Sequence, residues 1–237
     1  NAIVSSILST SKNALYNYMK TIFPVFMSDD RFKTARTEIF NDIKEIYTSS
    51  FKVFNEEVAT IVPYYNRLFE HQKEGTFFGV NRKFNFLAFE QGLGKTITAA
   101  TISTIADCDI TIVLAPAACK WNWQEDLINF GFDVEAITVL DSKKRFVGKR
   151  EKFIIINYDI FSKSLSYIYD KYQGKKIHLI CDEAHKLKNR EANRTKDVKT
   201  FVSNTKCKVT FLSGTPAPNT IVDMFSYLNI IGHETGN

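Results

Sequence analysis

The sequence predicts an α/β fold: three layers around a mainly parallel sheet, preceded by a helical extension. Two observations carry this. From about residue 84, apolar runs of mostly four to six residues, rich in β-branched and aromatic side chains, alternate with polar segments of helix length. Such runs fit strands buried on both faces, and connectors of that length fit parallel crossovers. Before residue 61, apolar residues recur instead at intervals of three and four, the spacing of one helix face. The expected division is a helical extension over 1–60 and an α/β domain over 61–237.

In the extension, Tyr16, Met19, Ile22 and Phe23 share a helical stripe that Pro24 interrupts. Ser28 or Asp29 offers an N-cap, and Phe32, Ala35, Ile39, Ile43 and Ile46 make the next stripe. Phe51, Val53, Phe54 and Val58 form a further apolar set before Pro63. In the domain, strands are expected at 84–89, 111–115, 136–140, 153–157, 177–181 and 208–212, and a helix at 97–106. Ligands of such sheets sit at the carboxyl ends of the strands.

Composition bounds the class. The 237 residues are 44% hydrophobic and 24% charged, which excludes a disordered chain or a collagen-like fibre. The longest apolar stretches, 110–118 and 153–156, fall far short of the roughly 20 residues that span a bilayer. No charged-then-apolar leader opens the chain, so an intracellular protein that uses no membrane is expected. Cys108, Cys119, Cys181 and Cys207 contain no C-x-x-C pair and read as reduced thiols. The scattered His71, His178, His185 and His233 complete no zinc site. The chain starts at Asn1-Ala2, which fits a scar of tag removal on a piece of something longer.

The net charge of +5 conceals an asymmetry. Residues 142–208 hold 18 Lys+Arg against 7 Asp+Glu, while the rest holds 13 against 19. Clustered cations gain by displacing counterions from a phosphate backbone, so a polyanion partner is one reading. Lysines solvating helix faces and loops are the other.

Chemistry enters where the first run ends, in Phe89-Glu90-Gln91-Gly92-Leu93-Gly94-Lys95-Thr96. Two glycines let a backbone turn wrap closely around phosphate at a helix N-terminus. Gln91, Gly92, Leu93 and Gly94 would line the cradle, Lys95 would reach the β and γ phosphates of ATP, and the Thr96 hydroxyl would ligate Mg²⁺. Phe89 stands where the usual phosphate-loop pattern has glycine.

A second run ends in Asp182-Glu183-Ala184-His185, with Asp182 87 residues after Lys95. Two adjacent carboxylates at the end of a buried strand are costly unless a cation and a water share the site. Asp182 would hold Mg²⁺ and Glu183 would deprotonate the attacking water. His185 either couples the nucleotide site to neighbouring backbone or is a satisfied buried imidazole. Ser213, Gly214 and Thr215 form a turn after the last run, suited to sense a γ-phosphate, to hold a backbone phosphate, or simply to turn the chain. Gln72 has an amide able to pair with adenine, or is a surface helix glutamine. Trp121 and Trp123 suggest base stacking, with core packing the preferred role for Trp123. Lys120 beside them is either a phosphate contact or a solvated lysine.

These motifs resemble the first RecA-like lobe of superfamily 2 helicase-related ATPases, and most of all the Swi/Snf-type translocases of duplex DNA. The phosphate loop Gly92-Leu93-Gly94-Lys95-Thr96 matches the family form. So does the Asp182-Glu183-Ala184-His185 box with its continuation Lys186-Leu187-Lys188-Asn189. Leu212-Ser213-Gly214-Thr215-Pro216 followed by Asn219 matches the third motif, and Gln72-Lys73-Glu74-Gly75 matches the adenine-reading one. Pro116 with Asn122-Trp123-Gln124 matches the first nucleic-acid motif, and Asn157-Tyr158 matches a strand-end pair. These motifs run in order from Gln72 to Asn219. The chain departs from the family at Phe89, usually acidic, and at Phe69-Glu70-His71, usually Arg-Pro-Tyr.

The resemblance implies a three-layer, RecA-like P-loop NTPase lobe. Its implied activity is ATP hydrolysis to ADP and phosphate coupled to translocation on double-stranded DNA. Lys120, Asn157, Tyr158, Thr215 and Asn219 are the implied DNA contacts, and His185, Ser213, Gly214 and Thr215 the implied coupling residues. A second RecA-like lobe, absent from this chain, would supply arginines to the transferring phosphate. Two rivals stand beside this reading: the motor lobe of an RNA helicase or restriction enzyme, and a nonhydrolytic nucleic-acid-binding module.

Overall fold

The computed structural model describes residues 33–141, 150–215 and 224–232. The stripe from Tyr16 to Phe32, the cap at Ser28 or Asp29, Pro216 and Asn219 lie outside them. The side chains of Ala35, Ile39, Ile43 and Ile46 do too, although their backbone is helical. The chain divides into two compact units, residues 1–74 and 75–237.

In the first unit, helix α1 (Lys33–Ile61) runs unbroken for 29 residues through the apolar set at 51–58. It stops before Val62-Pro63, because proline's ring disfavours helical backbone in the residue before it. Val58 is buried and Val53 exposed. A 3₁₀ turn (Tyr65–Arg67) then leads toward helix α2 (Glu70–Val80). The buried Tyr65 hydroxyl bonds Asn55 at 2.5 Å, and Phe54 meets its ring edge-on.

The second unit holds a six-stranded parallel sheet in the order β1-β6-β5-β2-β4-β3. Its strands are β1 (Phe84–Leu87), β2 (Ile110–Leu114), β3 (Ile137–Val139), β4 (Phe153–Ile156), β5 (Ile177–Cys181) and β6 (Lys208–Leu212). The helices between them are α3 (Lys95–Ile105), α4 (Lys120–Asn129), α5 (Tyr158–Lys163), α6 (Leu165–Lys171) and α7 (Asn193–Thr205); α8 (Met224–Ile230) follows β6. All six expected strands are present, some a residue or two shorter. β1 ends early, at Leu87, since Leu87 opposite Leu212 is its last pair and, among the described residues, β6 is its only strand neighbour.

Strands β2, β4 and β5 are buried at every position, which explains their unalternating sequences. One face packs Ala99, Ala100 and Ile102 of α3 and Trp123 and Leu127 of α4 against Val113, Ile155 and Ile180. The other packs Phe161, Val198, Phe201 and Tyr227 against Ile112, Ile154 and Leu179. Each fully buried aliphatic or aromatic side chain contributes about 1.5–3 kcal/mol. Buried polar pairs interrupt this core: Ser103 bonds Thr111, and His178 Nε2 lies 2.8 Å from Thr210 Oγ1, where burial pushes the imidazole down to about 3.

The fold disperses the basic excess of 142–208. Lys152, Lys176 and Lys208 stand at the amino ends of β4, β5 and β6. Lys152 donates to the Cys108 carbonyl, and Lys176 lies 3.6 Å from Asp107. Lys208 donates to the carbonyls of Gly79 (2.7 Å), Val80 (3.0 Å) and Arg82, closing the carboxyl end of α2. Lys186, Lys188 and Arg190 are exposed after β5, at the opposite edge.

Candidate nucleotide site

Because all the strands are parallel, the segments after β1, β5 and β6 emerge at one edge. β6 lies between the other two, so the third motif sits beside the phosphate loop. A Cβ added at Gly214 would stand 3.5 Å from the Phe89 carbonyl oxygen and 3.8 Å from the Gln91 nitrogen.

The loop itself turns on Gly92 (φ 83°) and Gly94 (φ 76°), left-handed conformations that cost glycine nothing. Lys95 enters the first turn of α3, two residues before the expected helix start, and its amine donates to the carbonyls of Phe89 (3.0 Å) and Glu90 (3.1 Å). Gln91, Gly92 and Leu93 are exposed; Gly94, Lys95 and Thr96 are half-buried. Burial on α4 raises the proton affinity of the Asp126 carboxyl, and the nearby Thr96 hydroxyl lowers it.

Asp182 continues the sheet through its N–H to the Leu114 carbonyl (2.8 Å). Its Oδ2 accepts from Trp123 Nε1 (2.9 Å) and its Oδ1 from the Glu183 N–H (2.9 Å). Burial holds the Asp182 carboxyl above the usual carboxylate range; those two hydrogen bonds draw it back, Glu183 pushes it up and the Lys95 ammonium lowers it. Lys95 and Asp182, 87 residues apart, thus feel each other's charge.

Glu183 adopts φ 47°, ψ 52°, a left-handed backbone that costs a residue with a Cβ about 1–2 kcal/mol. Strain of this kind clusters where function needs it. Glu183 Oε2 lies 3.1 Å from His185 Nδ1, and both side chains are partly exposed, so His185 is no buried imidazole. Ser213 is fully buried and accepts the Thr215 N–H at 3.1 Å, leaving Gly214 and Thr215 exposed.

Several expectations need correction. Lys120 is neither a free phosphate contact nor a solvated lysine: it is buried and donates to the Leu140 carbonyl at 2.5 Å. Tyr158 is buried and donates to the Asp182 carbonyl at 2.7 Å, so it faces the core instead of solvent. Asn157 spends its side-chain oxygen capping α5 through the Ile160 N–H. Gln72 is a buried residue, not a surface one; its Oε1 accepts the Phe69 N–H (3.0 Å), reaching back to cap α2. Trp123 is buried, while Trp121 is exposed. Sequence reasoning missed the Trp123 hydrogen bond to Asp182 and the place of Asp126 near Thr96. The signal for the first was available: a buried indole N–H needs an acceptor. Among the described residues no helix is long and apolar enough to cross a membrane.

Residues 71–235 match the model of the SNF2-related domain family. The chain is 32% identical over 181 residues to the SWI/SNF-related matrix-associated actin-dependent regulator of chromatin subfamily A-like protein 1 homolog of Caenorhabditis elegans, covering 71% of this chain and 24% of that one. It is 31% identical over 193 residues to chromodomain-helicase-DNA-binding protein 6 of Rattus norvegicus, covering 70% and 7%. It therefore spans about a quarter or less of these relatives. The Sulfolobus solfataricus SWI2/SNF2 ATPase core in complex with dsDNA shares the fold, with a TM-score of 0.58 at 21% identity over 70% of this chain and 36% of that one. The Pyrococcus furiosus Hef helicase domain does so equally, with a TM-score of 0.58 at 19% identity over 69% and 36%. With its motifs ordered along a parallel sheet and most of its length matched, the chain belongs to the SNF2-related domain family.

Proposed function

We propose that residues 61–237 are the ATP-binding lobe of a DNA-dependent ATPase that translocates on duplex DNA, with 1–60 a helical extension. The observation that carries this is the convergence of Lys95, Asp182 and Glu183 at one sheet edge, with Lys95 close enough to lower the Asp182 carboxyl's proton affinity. In this reading Gln91, Gly92, Leu93 and Gly94 cradle the phosphates of ATP, and the Lys95 amine exchanges its loop carbonyls for phosphate oxygens. Gln72 reads adenine through its amide nitrogen.

The residues fit Mg²⁺. Both Asp182 oxygens already bond neutral donors, which orient the carboxylate without neutralising its charge. Thr96 is half-buried near Asp126, and its hydroxyl oxygen has lone pairs for a cation. Bound there with ATP, the ion supplies charge neutralisation to the phosphates. Glu183 takes a proton from water as the water oxygen bonds the γ-phosphorus and the bond to the ADP oxygen breaks.

His185, Ser213, Gly214 and Thr215 carry the nucleotide state toward DNA, which Thr215, Asn219 and the Asn157 amide contact. A second RecA-like lobe is the proposed partner that supplies arginines, worth about 10³–10⁵ in rate. The whole protein would act inside the cell, where its duplex lies. The test is hydrolysis by the whole protein with duplex DNA, single-stranded DNA or RNA. Stimulation by duplex DNA is expected; stimulation by RNA alone, or nucleotide binding without turnover, would replace this reading.

A further inference from the structure

The local sequence Asp182-Glu183-Ala184-His185 contains no glycine or asparagine to favour the left-handed backbone at Glu183. Something outside it must hold that turn. The peptide between Asp182 and Glu183 has both polar groups engaged. Its carbonyl accepts the Tyr158 hydroxyl at 2.7 Å, and its N–H donates to Asp182 Oδ1 at 2.9 Å. The other carboxylate oxygen, Oδ2, accepts Trp123 Nε1 at 2.9 Å. Rotation of the peptide, or of the Asp182 carboxylate, would break one of these bonds.

We infer that Trp123 and Tyr158 are positioning residues: a buried bracket, built from α4 and α5, that holds the Asp182 carboxylate and the Glu183 turn in working orientation. This rests on the nucleotide-site reading above and deepens it. Both donors are buried, with 2% and 4% of their surface exposed, and each reaches the turn from a different element. Neither needs to touch nucleotide. Three residues beyond Trp123, Asp126 stands near enough to Thr96 for the hydroxyl to lower its proton affinity, so α4 borders the second metal-side group as well. The same spacing that makes a helix face thereby couples both sides of the site.

Tyr158→Phe keeps the packed ring and Trp123→Phe keeps an aromatic, though smaller, one; each deletes one donor. In the 237-residue chain, binding of a fluorescent ADP analogue would be titrated at stepped Mg²⁺, and exchange of the Glu183 amide followed by NMR. Trp123→Phe is expected to raise half-saturating Mg²⁺ about tenfold, the worth of a hydrogen bond to a charged group, with Mg²⁺-independent binding nearly unchanged and the melting temperature lowered by the smaller ring. Tyr158→Phe is expected to speed Glu183 amide exchange about tenfold. An unchanged Mg²⁺ midpoint removes Trp123 from the bracket, and unchanged exchange removes Tyr158. If Trp123→Phe does not fold, Trp121→Phe leaves Trp123 as the sole tryptophan. Its emission should then respond to Mg²⁺ added with ADP, and a silent emission overturns its role. Absence of any Mg²⁺ effect in the unsubstituted chain would defeat the nucleotide reading itself; amide exchange would still judge the bracket.

Discussion

The Lys95 ammonium lies 3.0 Å from the carbonyl oxygen of Phe89, the residue that stands where a phosphate loop usually has glycine. Lys95 takes the carbonyl of Phe89, and a carbonyl is common to every residue type. Its ring turns away: a Cβ on Gly75 would come within 2.7 Å of it. The departure from pattern therefore leaves the lysine's local partners intact.

Lys95→Ala is expected to weaken ATP·Mg²⁺ binding by about a hundredfold, since charge-assisted hydrogen bonds contribute about 1.5–3 kcal/mol each. Stability should change little, because the half-buried amine bonds only its own loop. Calorimetry on both proteins measures it, and equal affinities would remove Lys95 from its assigned role.

Glu183→Gln should leave ATP binding near its original strength and cut turnover of the whole protein by about 10²–10⁴, the range of general-base contributions. Single-turnover hydrolysis separates the two. Retained turnover would mean that another group activates the water.

Lys120→Ala should leave duplex-DNA affinity unchanged and destabilise the fold by about 1–3 kcal/mol, because it deletes a buried donor to the Leu140 carbonyl. Denaturant unfolding and a binding titration check the pair. A loss of DNA affinity at unchanged stability would reverse the assignment.

Reversing charge at Lys186, Lys188 and Arg190 should flatten the salt dependence of duplex binding, by about 0.9 log units per log of salt for each lost phosphate contact. Reversing Lys152 and Lys176, at the opposite edge of the sheet, should not. Equal slopes after both sets would show that the carboxyl-edge cations are merely solvated.

His178 sets an acid limit on stability. Burial, with the Lys208 charge adding to it, lowers the folded imidazole to about 3 against 6.5 when unfolded. Below pH 6.5 the unfolded chain takes up a proton that the folded one refuses. The stabilisation is thus full above 6.5 and is lost as pH falls toward 3, by about 2 kcal/mol at pH 5. His178→Gln should remove that share of the slope between urea midpoints at pH 7 and pH 5; an identical slope would show that the imidazole does not titrate between states.

Much of this protein was determined by sequence alone, and for local reasons. The run Phe153–Ile156 is apolar throughout, and Ile177–Cys181 is apolar but for His178, because central parallel strands are covered on both faces. Gly92 and Gly94 announce their turn because left-handed backbone is a property of the residue itself. Lys95, Asp182 and Glu183 could be named from strand ends and spacing. What only the tertiary structure decided was where the ambiguous polar groups spend their hydrogen bonds. Lys120 and Tyr158 look like nucleic-acid contacts in a linear text, yet Leu140 and Asp182, 20 and 24 residues away, receive them. Trp123 reads as packing, but its N–H finds Asp182 59 residues on. The cations of 142–208 read as one patch, and strand direction sends Lys152, Lys176 and Lys208 to the edge away from the site. A side chain's polarity is written in its identity, but the partner that satisfies it is supplied by whichever element the fold packs alongside.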